Sequence, residues 1–215
     1  MKYQYIAIER EYGSGGREVA ELIGQKTGVP CYGRQILERV AETMHVTPDQ
    51  IEDCEEKATG SMLYSLYAMS QVGTSTADML PLEGKIYLAE QEIIREMASC
   101  GSAVFLGHCA VEALRGRKGV LRVFIRANEE SKMARIRDAY GIEEKDIRKV
   151  MREFDRKRAN YYNANTSRKW REAENYDIIL DSGTLGTEQC AQILMQLLSA
   201  ASREKGSGQK AETVL

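Results

Sequence analysis

The run Ile6-Ala7-Ile8-Glu9-Arg10-Glu11-Tyr12-Gly13-Ser14-Gly15-Gly16-Arg17-Glu18-Val19 constrains this chain more than any other segment. A short apolar stretch ends in a glycine-rich turn, and the turn opens into residues with helical periodicity. Strand, glycine turn and helix in that order gather backbone N–H groups and the positive end of a helix dipole around one point, which suits a phosphate. Such loops usually read G-x-x-x-x-G-K-[S/T]. Here Arg10 stands at the first glycine and Gly16 at the lysine, and Arg17 and Glu18 follow. Two uses of Gly13, Ser14, Gly15 and Gly16 are therefore open. They form a phosphate cradle, or they make a tight strand–helix turn whose glycines serve positive φ and close packing.

The rest of the chain repeats the alternation. Tyr3–Ile8, Ala103–Leu106, Val120–Ile125 and Asp177–Asp181 read as buried strands, and Val29–Tyr32 as a short extended piece. Helical patterns fill 17–28, 35–44, a long stretch through Ile86 and Met97, 129–139, 143–162 and 187–202, and Thr47-Pro48-Asp49 is a helix start. Continuous apolar strands alternating with helices argue a parallel sheet covered on both faces. Residues 50–82 fit no single reading.

The 215 residues suit one large domain. No apolar run reaches the ~18 residues of a membrane span, and no signal-peptide pattern precedes the first strand. The five cysteines are scattered, without C-x-x-C spacing, which reads as reduced thiols in a cytoplasmic protein. With His45 and His108 as its only histidines, the chain has no basis for a multi-histidine metal site. The net charge of −2 hides an asymmetry. Residues 115–171 hold 18 Lys and Arg against 8 Asp and Glu, a net of +10 in an otherwise acidic chain. A basic segment calls for an anionic partner. It lacks interleaved aromatics over most of its length, so a small polyphosphate suits it better than nucleic acid.

Three places in the sequence carry a family resemblance. Ile6-Ala7-Ile8 with Gly13-Ser14-Gly15 matches the first strand and phosphate loop of nucleoside monophosphate kinases. Leu180-Asp181-Ser182-Gly183-Thr184-Leu185-Gly186-Thr187-Glu188 looks like the Asp-Ser-Thr-x-Leu-Ser-x-Glu stretch before their last helix. Asp155-Arg156-Lys157-Arg158 sits where cytidylate kinases carry an Asp/Arg-rich lid. Gly107-His108-Cys109 departs from the Gly-Arg-Asp that they carry at the matching place. Over residues 3–200 the chain resembles the cytidylate kinase-like branch of that superfamily, with a degenerate phosphate loop. The resemblance implies a three-layer α/β P-loop kinase fold, with a parallel sheet, helices on both faces and a mobile lid. It implies one domain over 1–203, with 50–82 as acceptor-binding insertion and 143–171 as basic lid; the polar tail 204–215 reads as disordered.

Phosphoryl transfer needs positioning and charge neutralisation. Gly13, Ser14, Gly15 and Gly16 would hold the donor phosphates of ATP, and Arg17 would stand in for the lysine. Arg10 is a second candidate. The alternative for both is an ion pair with Glu9, Glu11, Glu18 or Glu21. The Mg²⁺ ligands are unknown, because the usual hydroxyl position falls on Arg17 and Glu18 and leaves only Ser14 inside the loop. Arg148, Arg152 and Arg156 share one helix face at i, i+4 spacing, where like charges repel unless an anion sits against them. Arg152, Arg156 and Arg158 are the expected catalytic lid residues, with Asp155 and Arg158 on the acceptor as the resemblance implies. A solvated helix laced by Glu144–Arg148 and Glu153–Lys157 pairs is the alternative. Arg34 and His108 are further acceptor-binding candidates, His108 equally an ordinary helix-start residue. Cys109 cannot replace a carboxylate acceptor. Met62, Tyr64, Tyr67 and Met69 line the acceptor site, pack as core or form a homodimer contact. Trp170 is core or an anchor for the lid's return.

The function expected is ATP-dependent phosphoryl transfer to a nucleoside monophosphate, CMP or dCMP first, with nucleotides as small-molecule partners and neither nucleic acid nor membrane. A kinase of another small phosphorylated metabolite and a nucleotide-binding regulator without turnover are the alternatives.

Overall fold

A computed structural model describes residues 3–51, 82–140 and 144–198. The apolar runs pair into one parallel sheet of β1 (Tyr5–Arg10), β2 (Cys31–Tyr32), β3 (Ala103–Leu106), β4 (Val120–Arg126) and β5 (Ile178–Asp181). The order across the sheet is β2-β3-β1-β4-β5. Tyr5 lies opposite Ala103 on one side and Val120 on the other. The connecting helices are α1 (Gly16–Thr27), α2 (Arg34–Met44), α3 (Leu82–Ser99), α4 (Ala110–Ala113), α5 (Glu129–Tyr140), α6 (Glu144–Thr166), α7 (Ser182–Leu185) and α8 (Thr187–Leu197).

Strand side chains alternate between faces, and here both faces are buried. Ile6 and Ile8 pack with Val19 and Ile23 of α1 and Leu194 of α8. Tyr5 and Ala7 pack with Ile36 of α2, Ile94 of α3 and Val111 of α4. That double burial is why the strands read as unbroken apolar runs. Trp170 belongs to the second layer, edge-on to Phe124 at 5.3 Å. A small third cluster of Ile136, Ile147 and Met151 joins α5 to α6 and takes in Tyr12 from the glycine turn.

The element boundaries follow from local chemistry. Gly28, left-handed at φ 73°, closes α1 by donating its N–H to Gly24. Thr47 and Gln50 cap each other reciprocally, Thr47 Oγ1 accepting from the Gln50 N–H and Gln50 Oε1 from the Thr47 N–H. β1 runs to Arg10 rather than ending at Ile8, because Glu9 and Arg10 pair with Phe124 and Ile125 of β4. Two four-residue helices, α4 and α7, were not foreseen, being too short to show a period. Asp181 caps α7, accepting from the Gly183 and Thr184 N–H groups. Most of the expected insertion at 50–82, with Met62, Tyr64, Tyr67 and Met69, lies outside the described residues, as does the tail from 204. Among the described residues, no helix is long and apolar enough to cross a membrane. Cys31, Cys100, Cys109 and Cys190 are free thiols.

The chain leaves β1 for β2 on one side and crosses from β3 to β4 on the other side of β1. Open α/β sheets form their binding crevice outside the carboxyl ends of strands at such a point.

Candidate active site

A cleft of about 760 Å³ opens at the carboxyl ends of β1 and β3. Its floor is the glycine turn. Gly13, Gly15 and Gly16 line it, followed by Arg17 and Glu18 of the first turn of α1. Among the described residues no side chain caps that turn, so N–H groups lie beside the cleft for an anion to meet. Gly15 is left-handed at φ 72°, and a Cβ there would sit 2.6 Å from Thr187 Cγ2.

Ser14 does not face the cleft. Its side chain is fully buried, and its hydroxyl donates to the Glu11 carbonyl at 2.8 Å. The one hydroxyl that the sequence leaves inside the loop is thus committed within the turn. Among the described residues no cluster of three His, Cys, Asp or Glu side chains could hold a metal ion.

Cations surround the turn from three elements. Arg135 of α5 lies over it, with Nη1 donating to the Gly13 carbonyl at 2.7 Å and Cζ 3.1 Å from where a Gly15 Cβ would be. Arg10 leaves the end of β1 and crosses Gly16. A Cβ on Gly16 would come within 2.6 Å of the Arg10 Cβ, and one on Gly107 would overlap its guanidinium. Arg158 of α6 donates to the Arg10 carbonyl at 3.1 Å. Burial, with the neighbouring Arg10 charge behind it, drops Arg158 to about 9. Two cations held together this way are poised for an anion. Arg17 is 77% exposed and pairs with Glu21 at 2.9 Å.

Helix α6 is docked onto the turn. Phe154 stacks on Tyr12 at 4.4 Å with planes 10° apart. Asp155 accepts the Tyr12 N–H at 2.7 Å and an Arg171 N–H at 2.9 Å, with Lys132 at 3.7 Å. Lys132 and Arg171 also pair with Glu11, each at 3.0 Å. Burial raises the Asp155 pKa, and the Tyr12 N–H and Lys132 partly oppose it. Asp155 therefore holds the loop's backbone. The face of α6 that lines the cleft carries Phe154, Lys157, Arg158, Tyr161 and Tyr162. Arg152 and Arg156 line a separate depression of about 280 Å³ with Asp155 and Arg171, and Arg148 pairs with Glu129 at 2.5 Å.

The other end of the cleft is built on β3. Gly107, His108 and Cys109 are three successive left-handed residues, at φ 81°, 54° and 53°. His108 Nδ1 meets buried Glu90 of α3 at 3.0 Å, and the Tyr161 hydroxyl donates to the other Glu90 oxygen. Arg34 lines the cleft at the start of α2 and pairs with Glu38 at 3.3 Å.

A family model described as the cytidylate kinase-like family matches residues 5–184. The chain belongs to the cytidylate kinase-like family. Its fold is that of the P-loop kinases, a parallel α/β sheet with helices on both faces. An uncharacterized protein from Eubacterium ventriosum ATCC 27560 is 23% identical, with a TM-score of 0.66 over 89% of this chain and 96% of that one. A sugar kinase from Janibacter sp. HTCC2649 is 14% identical, with a TM-score of 0.50 over 90% and 92%. Shikimate kinase from Bacteroides thetaiotaomicron is 16% identical, with a TM-score of 0.49 over 90% and 97%. No curated protein matches the sequence. Family membership supports a nucleotide or small-metabolite kinase.

In this cytidylate kinase-like chain, the structure brings Gly13, Gly15, Gly16, Arg17, Arg34, His108 and Arg158 to one cleft. It leaves Arg152 and Arg156 outside, turns Asp155 to the loop backbone and buries Ser14. Three residues escaped the sequence reading. Arg135 was one cation among many in the basic segment. Phe154 carries no sequence signal of its own within the charged run around it. Glu9, in plain view within the motif, reads from sequence only as one of four possible ion-pair partners for Arg10 or Arg17. In the fold it is only 4% exposed, and its Oε2 accepts the indole N–H of Trp170 at 3.1 Å.

Proposed function

We propose that the chain is an ATP-dependent phosphotransferase acting on a small acceptor, with CMP and dCMP the first to test. The observation that carries this reading is the uncapped start of α1 flanked by Arg135, Arg10 and Arg158 in one cleft. Turn N–H groups would receive the donor phosphates. Arg135 and Arg10 would supply the charge that a loop lysine gives elsewhere, and Arg17 would add a more distant one. Arg158 would meet the transferring group, with His108 and Arg34 toward the acceptor. ATP would bring its own Mg²⁺ on its phosphates.

The acceptor end favours a kinase of another metabolite as the second reading. Cys109 replaces the carboxylate expected from the family pattern, and Asp155 is engaged by Tyr12 and Arg171. Calorimetry with ATP, beside an ADP-release assay over nucleoside monophosphates and small metabolites, tests the proposal. ATP binding with acceptor-dependent ADP release supports it. Binding without turnover favours a regulator, and no binding removes the reading.

A further inference from the structure

The face of α6 turned away from the cleft carries cations that the cleft does not use. Arg152 and Arg156 sit one turn apart on it, both exposed, at a spacing where like charges repel. Among the described residues neither makes a hydrogen bond or an ion pair. Both line a depression of about 280 Å³. Lys132, Asp155 and Met151 form its buried side, at 8%, 7% and 5% exposed.

The other charges around the depression balance one another. Lys132 and Arg171 each reach Glu11 at 3.0 Å, and Asp155 at 3.7 and 2.9 Å. Arg148 is matched by Glu129 at 2.5 Å, and Arg152 adds only a weaker pull on Glu129 from further off. Two cations and two carboxylates cancel in the first set, and one of each in the second. Arg152 and Arg156 remain, a surplus of two positive charges beside a concave surface.

That surplus has a chemical counterpart. A phosphomonoester carries roughly −1.5 to −2 charge at pH 7 and three strong acceptor oxygens, and guanidinium forks grip such a group bidentately. It would also turn the repulsion between the two arginines into a shared attraction. Met151 and Ala159 give the depression an apolar side for the organic part of the molecule, and the volume keeps that part small. We propose that the outer face of α6 is a second anion site, separate from the cleft, and that it binds a small phosphomonoester through Arg152 and Arg156. A single phosphate suits it better than a polyphosphate or a nucleic-acid backbone, because Glu129 and Asp155 on the same lining repel further negative charge. Asp155 also joins this site to the glycine turn, whose Tyr12 N–H it accepts. The site stands apart from the phosphotransferase reading, since Met151, Arg152 and Arg156 do not line the cleft.

Phenyl phosphate is the probe. It is titrated at about 0.15 M salt, where pairing between separated exposed charges is largely screened, into the full chain carrying ¹³C-methyl methionine. Met151→Leu assigns the Met151 methyl signal. The expected result is a saturable shift of that signal, retained in Arg135→Ala and weakened roughly ten-fold or more in Arg152→Gln combined with Arg156→Gln. Arg152→Lys with Arg156→Lys, which keeps the charge and loses the forks, should fall between. Both positions are exposed and mutually repulsive, so these variants should fold, and an unchanged methionine spectrum before the probe is added checks it. No saturable shift, or the same midpoint in the glutamine double variant, overturns the site. So does a shift produced by a single-stranded oligonucleotide and not by phenyl phosphate, which would make this face a nucleic-acid contact. A chain that fails to bind ATP and still shows the Met151 shift would remove the kinase reading and leave the second site standing.

Discussion

Arg10 and Gly16 occupy one space: the Arg10 side chain passes where a side chain at position 16 would begin, 2.6 Å from the Cβ it would carry. The two departures from the usual phosphate-loop pattern are therefore a single departure. The cation enters from the first position of the loop, and the position that normally supplies it is emptied to let it pass.

Restoring a lysine at position 16 should consequently fail. Gly16→Lys alone is expected to lower stability by about 1–3 kcal/mol, the usual cost of overpacking, and to weaken ATP binding. Arg10→Gly combined with Gly16→Lys should recover much of both. Denaturant unfolding and calorimetry on the two singles and the double close the cycle. Additive losses would show that the residues do not share the space in solution.

Arg135 should matter to ATP more than Arg17 does. Arg135 reaches the Gly13 carbonyl, whereas Arg17 is exposed and paired with Glu21. Loss of a charge-assisted contact costs ~1.5–3 kcal/mol, so Arg135→Ala should weaken ATP binding roughly ten-fold or more. Arg17→Ala should change it little. Calorimetry ranks the two, and the reverse order would return the lysine's role to Arg17.

The docking of α6 makes a contrasting pair. Phe154→Ala removes the stack on Tyr12, a contact worth about 0.5–1.5 kcal/mol beyond its buried area. It should lower the melting temperature and loosen ATP together. Arg156→Ala, on the far face of the same helix, should leave ATP affinity and turnover near wild type. A collapse of turnover in Arg156→Ala with unchanged melting would put that face back in the chemistry.

Glu9 should leave a mark on the pH dependence of stability. Its native pKa is raised, so the folded chain holds a proton that the unfolded chain loses near ~4.3. Stability is therefore expected to fall as pH rises from there through the native value. Glu9→Gln should flatten that slope and raise stability at neutral pH. Asp155, also raised, leaves a residual slope of the same sign. Asp177, lowered by its hydrogen bonds to Arg122, acts oppositely, holding stability at neutral pH that is lost in acid. Chemical unfolding across pH 4 to 9 reads these contributions. An identical slope in Glu9→Gln would mean that Glu9 is ionised in the fold.

Most of the fold was legible because each strand is buried on both faces, so Ala103-Val104-Phe105-Leu106 and its fellows announce themselves without alternation. The glycine turn was legible because glycine takes φ near 72°, as at Gly15, without the steric cost a side chain brings. The chemistry of α6 was legible only in part. Spacing put Arg148, Arg152 and Arg156 on one face, and that holds. Periodicity cannot say which face meets the cleft. Arg158, two residues past Arg156, is turned by about 200°, so the two could not both face the same ligand. Glu9 and Asp155 were misjudged for a shared reason. A carboxylate's role depends on whether water reaches it, and burial near the end of a strand depends on partners more than a hundred residues away, Trp170 for one and the loop's own Tyr12 for the other.

The three left-handed residues at the end of β3 set stability against activity. An L-residue with a side chain costs roughly 1–2 kcal/mol in that conformation relative to glycine, and the chain holds His108 and Cys109 there in succession. Replacing His108 by glycine would relax the backbone and remove the imidazole that Glu90 and Tyr161 hold in place through their shared carboxylate. Screening variants of this protein for thermal resistance would therefore select first against the end of β3, where the acceptor is proposed to bind.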